Sequence, residues 1–181
     1  MDERIVLLDR AHRPIGSAPK LASHHAQTPL HLAFSCYIFN AKGELLLTRR
    51  ASSKKVWPDV WTNSVCGHPA PGESMHEAVK RRAKFELGIS AVDNLKEILD
   101  DYSYRSPPYN GIVENEFCPV FAARLESSLM PNPDEVQDYR WIRWQLLKAE
   151  ITRQPAIFSF WLKDQIPLLE KRLLFKQYTR R

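Results

Sequence analysis

Two glutamates one residue apart, Glu114 and Glu116, lie in the largely apolar run 112–120. If that run is a strand, Ile112, Glu114, Glu116, Cys118 and Val120 share one face, because strand side chains alternate with a period of two. Two carboxylates that close, away from water, repel each other, and a proton, an arginine or a metal ion must offset the repulsion. An exposed edge strand, with both acids in water, would need no such partner. Histidines tip the balance: His24 and His31 precede the first strong strand signal, and His68 lies in Cys66-Gly67-His68-Pro69. Imidazole with paired carboxylate oxygens suits a divalent transition ion such as Mn²⁺ or Zn²⁺. The candidates come from separate segments without a compact HxxxH spacing, so His12, His25 and His76 stay open as alternatives. Cys66 adds a thiol that can give or take a proton, its ordinary pKa of about 8.5 being tunable by nearby charge.

The elements that must carry these residues follow from local pattern. Residues 4–9 read as a short strand followed by a turn near Pro14-Ile15-Gly16. Residues 31–39 and 44–48 flank Asn40-Ala41-Lys42-Gly43 and predict a hairpin. Residues 51–58 are polar and basic, hence a loop, and 60–65 return to strand. The clearest helix is 74–87: Ser74 and Glu77 form a capping-box signature, apolar residues recur at helical spacing, and Gly88 is the stop. Strands are expected at 95–104, 112–124 and 135–141, the first two joined by the turn-rich 106–111. Helices are expected at 144–151 and 156–178, the second interrupted or kinked at Pro167. This order predicts one α+β, or mixed α/β, domain.

The chain has 181 residues, of which 44% are hydrophobic and 26% charged, enough for one domain with a real core. No run approaches a membrane span, and acids at Met1-Asp2-Glu3-Arg4 oppose a signal peptide, so a cytoplasmic location is expected. Cys36, Cys66 and Cys118 are odd in number and form no CxxC, which argues against a disulfide framework. A net charge of +5 decides nothing alone. The densest basic cluster, Lys171, Arg172, Lys176, Arg180 and Arg181, reads as a solvated helix face with a frayed end rather than a binding tail.

The segment 67–89 is the most informative. It reads Gly67, five residues, Glu73, seven residues, then Arg81, Arg82, Ala83, Lys84, Phe85, Glu86, Leu87, Gly88 and Ile89. It resembles the Nudix box, a loop–helix–loop that binds Mg²⁺ and a diphosphate. Arg81, Glu86 and Gly88 match that pattern, whereas Arg82 and Phe85 stand where carboxylates belong. Replacing an acid by Arg82 turns a cation site into an anion contact, which keeps a diphosphate while removing the means to cleave it.

With Thr62-Asn63-Ser64-Val65-Cys66-Gly67-His68-Pro69 and Gly111-Ile112-Val113-Glu114-Asn115-Glu116, the chain resembles the type 1 isopentenyl-diphosphate isomerases, a Nudix-fold family. The similarity extends to His31-Leu32-Ala33-Phe34-Ser35, Arg49-Arg50, Trp57-Pro58 and Ser159-Phe160-Trp161, and is nearest the bacterial form. It covers nearly the whole length. It implies a mixed β-sheet sandwiched between helices in a single domain, 1–181, with the box-like segment at 67–89 and C-terminal helices at about 144–178. It implies metal ligation by His24, His31, His68, Glu114 and Glu116, and so selects His24 over His25. It further implies a catalytic pair of Cys66 and Glu116, with Tyr104 hydrogen-bonded to the glutamate and Trp161 over the reacting carbons. Lys20, Arg50, Lys54 and Arg82 match the basic residues around the diphosphate, and Glu86 matches a contact to the Mg²⁺ that accompanies it. Mn²⁺, Zn²⁺ or Mg²⁺ is expected at the His/Glu site. The 106–110 loop departs from the family by one residue in length, and the C-terminal helix also differs. The implied reaction is allylic isomerisation of isopentenyl and dimethylallyl diphosphate without flavin; the resemblance leaves open which of Cys66 and Glu116 donates first, and the order expected here is Glu116 with Tyr104 protonating C4 and Cys66 deprotonating C2. No nucleic-acid or membrane partner is expected, and the chain should be a monomer or weak homodimer. A nucleotide-diphosphate hydrolase would need the missing helix carboxylates. A metal- or nucleic-acid-binding module would leave Cys66 and Trp161 without purpose.

Overall fold

The computed structural model describes residues 3–126 and 128–180; Met1 and Asp2 of the acidic N-terminus and Arg181 of the basic cluster lie outside them. The chain opens with β1 (Arg4–Leu8), β2 (Pro14–Pro19), the single turn α1 (Lys20–Ser23), β3 (His31–Leu32), β4 (Phe34–Phe39) and β5 (Glu44–Arg50). Two short strands, β6 (Trp61–Thr62) and β7 (Val65–Gly67), lead into α2 (Met75–Leu87). Then come β8 (Asp93–Leu99), β9 (Ser103–Arg105), β10 (Asn115–Phe117), β11 (Val120–Arg124) and β12 (Val136–Arg143), followed by α3 (Trp144–Arg153), α4 (Phe160–Leu169) and α5 (Leu173–Thr179).

The larger sheet runs β12-β5-β4-β11-β8, with β6 on β5 and β7 on β4; β4 and β11 are parallel, so the sheet is mixed. Alternation along its central strands sends Tyr37, Phe39, Leu45 and Leu47 to one face, where they pack with Trp144, Leu162, Ile166 and Phe175 of α3–α5. Phe34, Cys36, Ile38 and Leu46 go to the other face, against Ala78, Val79, Ala83 and Leu87 of α2. This is the expected sheet between helices, and period-two patterning is its cause.

A second sheet, β2-β1-β3-β10-β9, was not expected. Residues 31–39, read as one strand, are two: the chain passes Ala33 and moves from the smaller sheet into the larger. Residues 112–124 divide in the same way around Cys118 and Pro119, and Pro119 cannot donate to a ladder. The two passages run side by side, with Ala33 N donating to Phe117 O (2.9 Å) and Ser35 N to Pro119 O (3.1 Å). Residues 95–104 likewise split into β8 and β9, and 60–65 into β6 and β7 around Asn63 and Ser64.

Two smaller corrections are local. Pro14–Gly16 begins β2 rather than forming the turn; the turn lies ahead of it, with His12 at φ 59° and Asp9 Oδ1 accepting from Ala11 N and Arg13 N. Pro167 sits inside α4 without ending it, and the chain breaks instead near Lys171 and Arg172, before α5. The capping box of α2 is complete: Ser74 Oγ accepts from Glu77 N while the Glu77 carboxylate accepts from Ser74 N. Gly88 closes that helix at φ 67°, where a Cβ would come within 2.6 Å of the Met130 carbonyl oxygen.

Candidate active site

Strand register assembles the first part of the site. Glu116 on β10 pairs with His31 on β3 on one side and with Tyr104 on β9 on the other, so three predicted residues lie abreast. Residues directly opposite in adjacent strands point to the same face. Glu114 precedes β10, held where Ser106 Oγ accepts from its backbone N–H (3.0 Å). His68 follows β7, and His24 follows α1.

These side chains converge. His24 Nδ1 donates to the Lys20 carbonyl (2.7 Å) and His31 Nδ1 to the Pro29 carbonyl (2.9 Å). A carbonyl only accepts, so both rings turn an Nε2 lone pair inward. His31 Nε2 lies 3.2 Å from His68 Nε2, Glu116 Oε1 is 3.2 Å from His68 Nε2, and Glu114 Oε2 is 3.2 Å from His24 Nε2. Ligand atoms of His24, His31 and His68 lie within 4.8 Å of one another, as do those of His31, Glu114 and Glu116. Glu114 Oε2 and His68 Nδ1 are buried without a hydrogen-bond partner. Converging lone pairs, two acids and an orphaned carboxylate oxygen fit a divalent cation. The alternative histidines stay apart: His12 stacks on Phe117, His76 packs against Phe121, and His25 Nδ1 accepts from Gln27 N.

The acids and bases in this cluster are driven in different directions. Burial raises the Glu116 carboxyl, but hydrogen bonds and charge from His31 and His68 outweigh it and hold the group well below the usual carboxylate range. Burial pushes His68 down to about 4, whereas the Glu114 carboxylate 3.2 Å away overcomes burial and raises His24. Burial raises the Tyr104 phenol, with the charge of Glu116 adding to it.

The cluster forms one wall of a cavity of about 650 Å³. All the predicted site residues line it except His31, which is fully buried behind the others. Cys66 on β7 faces this space, its thiol pushed up to about 12 by burial. Trp161 enters from α4, and Tyr104 packs beside it with ring centroids 6.3 Å apart. The expected hydrogen bond between Tyr104 and Glu116 is not formed among the described residues; the two are register neighbours, with the Tyr104 ring stacked on Tyr102.

The cations expected around a diphosphate also line the cavity, and all but Arg50 are already matched by acids. Lys20 pairs with Glu3 (2.9 Å), Lys54 with Glu135, and Arg82 with both Glu86 (2.7 Å) and Glu135 (3.1 Å). Burial and the charge of Glu135 raise the Glu86 carboxyl, with Arg82 and Lys54 opposing. Arg50 orders the 51–59 loop through the Val56 and Trp57 carbonyls (both 3.0 Å), and its guanidinium lies 5.7 Å from the Trp161 ring. Gly67 lets Arg82 pass: a Cβ there would meet Arg82 Cγ at 2.8 Å. Arg81 closes the loop before α2 by donating to Glu73 (2.6 Å) and to the His68 carbonyl (3.0 Å). Sequence reasoning missed Glu3, Glu135 and Asn63. Asn63 stands inside a quoted motif, but only the folded arrangement gives it partners.

Comparison with known proteins places this arrangement. A family model described as the NUDIX domain matches residues 29–162. The isopentenyl-diphosphate Delta-isomerase of Paenarthrobacter aurescens is 53% identical over 167 residues, covering 92% of this chain and 90% of the relative. The chain belongs to the isopentenyl-diphosphate isomerase family, within the NUDIX fold. Relatives of the same name from Citrobacter koseri (49% identity; 98% of this chain and 97% of the relative) and Salmonella typhi (48%; 99% of each) extend the match almost end to end. Among solved structures, DR0079 from Deinococcus radiodurans superposes with a TM-score of 0.70 at 21% identity, over 98% of this chain and 100% of that one. A MutT protein from Methanosarcina mazei Go1 gives 0.62 at 19%, over 84% and 97%. These distant structures share the fold. His24 and Lys20 lie outside the 29–162 match yet line the isomerase-family cavity.

Proposed function

We propose that this chain interconverts isopentenyl diphosphate and dimethylallyl diphosphate by protonating one end of an allylic unit and deprotonating the other. The observation that carries this reading is that Cys66, Glu116 and Trp161 line one cavity together with Lys54 and Arg82. The functional unit extends N-terminal to the matched domain, since Lys20 and His24 precede residue 29.

An unactivated alkene is a poor base, and its protonation creates a tertiary cation at high cost. In the isopentenyl direction the Glu116 carboxyl gives its proton to C4, and the C3=C4 electron pair forms the new C–H bond. Cys66, as thiolate, takes the C2 proton, and that C–H pair becomes the C2=C3 bond. Glu116 ends as carboxylate and Cys66 as thiol. The indole face of Trp161 attracts the cationic carbon, worth about 2 kcal/mol or more when desolvated. Burial excludes water that would trap the cation as an alcohol. Each turnover moves one proton from the carboxyl, through the substrate, to sulfur, so a proton must return from sulfur to the carboxylate side, assisted by the Tyr104 phenol, before the next isopentenyl turnover.

His24, His31, His68, Glu114 and Glu116 would hold a divalent ion, Mn²⁺, Zn²⁺ or Mg²⁺, which would supply charge that fixes the direction and acidity of the Glu116 carboxylate. The diphosphate is bound, not transformed. Lys20, Arg50, Lys54 and Arg82 grip its oxygens, and Glu86, with Glu135 beside it, meets the Mg²⁺ that accompanies it. Lys20, Lys54 and Arg82 would each exchange a carboxylate for a phosphate oxygen, and the Mg²⁺ that accompanies the substrate would offset the charge of the released acids. This remote binding positions the alkene. The mechanism uses no flavin, and the substrate is a small molecule rather than a nucleic acid or membrane surface. Hydrolysis of a diphosphate is opposed by Arg82 and Phe85, which occupy the box positions where the cleaving carboxylates would stand.

Incubating the protein with isopentenyl diphosphate and Mg²⁺ in heavy water tests the reading. Deuterated dimethylallyl diphosphate is expected. No conversion, or release of inorganic phosphate instead, would refute it.

A further inference from the structure

Asn63, fully buried, separates β6 from β7 and sends its amide toward the cavity wall. Its Oδ1 accepts from three donors: Cys66 Sγ at 3.1 Å, Trp161 Nε1 at 3.0 Å and Thr62 Oγ1 at 3.0 Å. Its Nδ2 donates to the carbonyls of Cys36 (3.1 Å) and Val65 (3.0 Å). An indole N–H can only donate and a backbone carbonyl can only accept, so the amide has one workable orientation. Flipped, it would set donor against donor and oxygen against oxygen.

The contact joins distant pieces of chain. Trp161 lies on α4, whose N-cap Ser159 accepts from Leu162 N (3.3 Å) and shares a hydrogen bond with Thr62 Oγ1 (3.0 Å). Ser159 N also donates to the Trp61 carbonyl (2.9 Å). The helix that brings the indole is thus fastened to the strand pair that brings the thiol, and Asn63 Oδ1 is the point where both side chains end.

We propose that Asn63 is a positioning residue, whose single carbonyl oxygen fixes the Cys66 sulfur and the Trp161 indole in one relation to the allylic unit of the substrate. This deepens the isomerase reading and rests on it. A thiol alone can rotate about its Cα–Cβ bond, and an indole can tilt; tied to one acceptor, they move together. Aspartate would keep the acceptor but put an oxygen against the Cys36 and Val65 carbonyls. Leucine would keep the volume and lose every polar contact.

The test compares wild type, Asn63→Leu, Asn63→Asp, Trp161→Phe and the Asn63→Leu/Trp161→Phe double variant, each checked for folding by its thermal melt. Steady-state rates with isopentenyl diphosphate give kcat and KM. Iodoacetamide labelling of the native protein, read on the Cys66 peptide, gives the accessibility and reactivity of the thiol without substrate. Asn63→Leu is expected to lower kcat about a hundredfold with little change in KM, the cost of an ångström-scale misplacement. Its effect should not multiply with that of Trp161→Phe, because both cut the same link. Asn63→Asp should retain more activity than Asn63→Leu. Labelling of Cys66 should change severalfold in both Asn63→Leu and Trp161→Phe. Wild-type kcat in Asn63→Leu, fully multiplicative effects, or unchanged Cys66 labelling in Trp161→Phe would each overturn the proposal. Should Asn63→Leu fail to fold, the labelling of Trp161→Phe decides, since phenylalanine keeps an aromatic face on α4 but has no N–H to share the Asn63 acceptor. Absence of turnover in wild type would refute the isomerase reading, while the labelling arm would still report on Asn63.

Discussion

A thiol on one strand and a carboxylate on another are ordinary groups until their neighbours separate them. Burial drives the Cys66 thiol up to about 12, and His31 and His68 outweigh burial to hold Glu116 low. Cys66→Ala is accordingly expected to keep its thermal melt and its metal content while kcat falls by about 10³-fold or more. Near-normal turnover in that variant would show that sulfur does not carry the proton. Glu116→Gln removes both a proton carrier and an ionic ligand, so activity should vanish and metal affinity, measured by calorimetric titration, should weaken by at least about tenfold. That His31, His68, Glu114, Glu116 and Cys66 come together was legible through motifs, because each lies in a quoted segment; His24 lies outside those segments and its place rested on the family resemblance alone. The residues that were not legible answer to distant partners: Asn63 meets Trp161 across 98 positions, and Glu135 meets Lys54 across 81. Local spacing carries no trace of such meetings.

At the scale of elements, what was readable was what is encoded within one turn. The capping box of α2 and its glycine stop were both evident, since their partners are three or four residues away. Ser74→Ala should lower stability by about 1 kcal/mol in urea unfolding. Gly88→Ala should cost more than about 1 kcal/mol, because a left-handed residue with a Cβ is strained and the Met130 carbonyl lies in its path. A neutral result at Gly88 would mean that the Met130 segment moves aside. The passage of β3–β4 and β10–β11 from one sheet into the other was not readable, since strand-forming residues flank Ala33 and Pro119 on both sides. The transfer depends on which neighbour each strand finds. The break before α5 was hidden for a different reason: Glu170, Lys171 and Arg172 include no helix breaker, and Pro167, the obvious one, is accommodated.

For the whole molecule, the His/Glu cluster couples stability to both protons and cations. In metal-free protein, His68 is depressed to about 4, so its contribution is present above its unfolded value of about 6.5 and is lost as pH falls toward 4. Glu116, also depressed, adds to that acid loss below the unfolded carboxylate value. His24, raised, acts in the opposite sense: its contribution is complete below about 6.5 and is lost as pH climbs past its folded value. A divalent cation at one hundred times its dissociation constant adds about 2.7 kcal/mol, which should raise the melting temperature by roughly 5–10 °C at pH 7.5. That increment should shrink at pH 5, where protons compete for the imidazoles. Differential scanning calorimetry with and without chelator measures it, and an increment independent of pH would argue against histidine ligation.

The acids that occupy Lys20, Lys54 and Arg82 also act as a filter. Each is tethered to the same chain, so it competes at an effective concentration that a freely diffusing monovalent anion rarely matches. Sulfate or orthophosphate arriving alone must evict a carboxylate and leave it stranded, whereas a diphosphate escorted by Mg²⁺ offers the evicted carboxylate a new resting place. On the proposed reading the unliganded cavity is selective for the escorted polyanion, so millimolar sulfate should inhibit wild type weakly and Glu135→Gln more strongly.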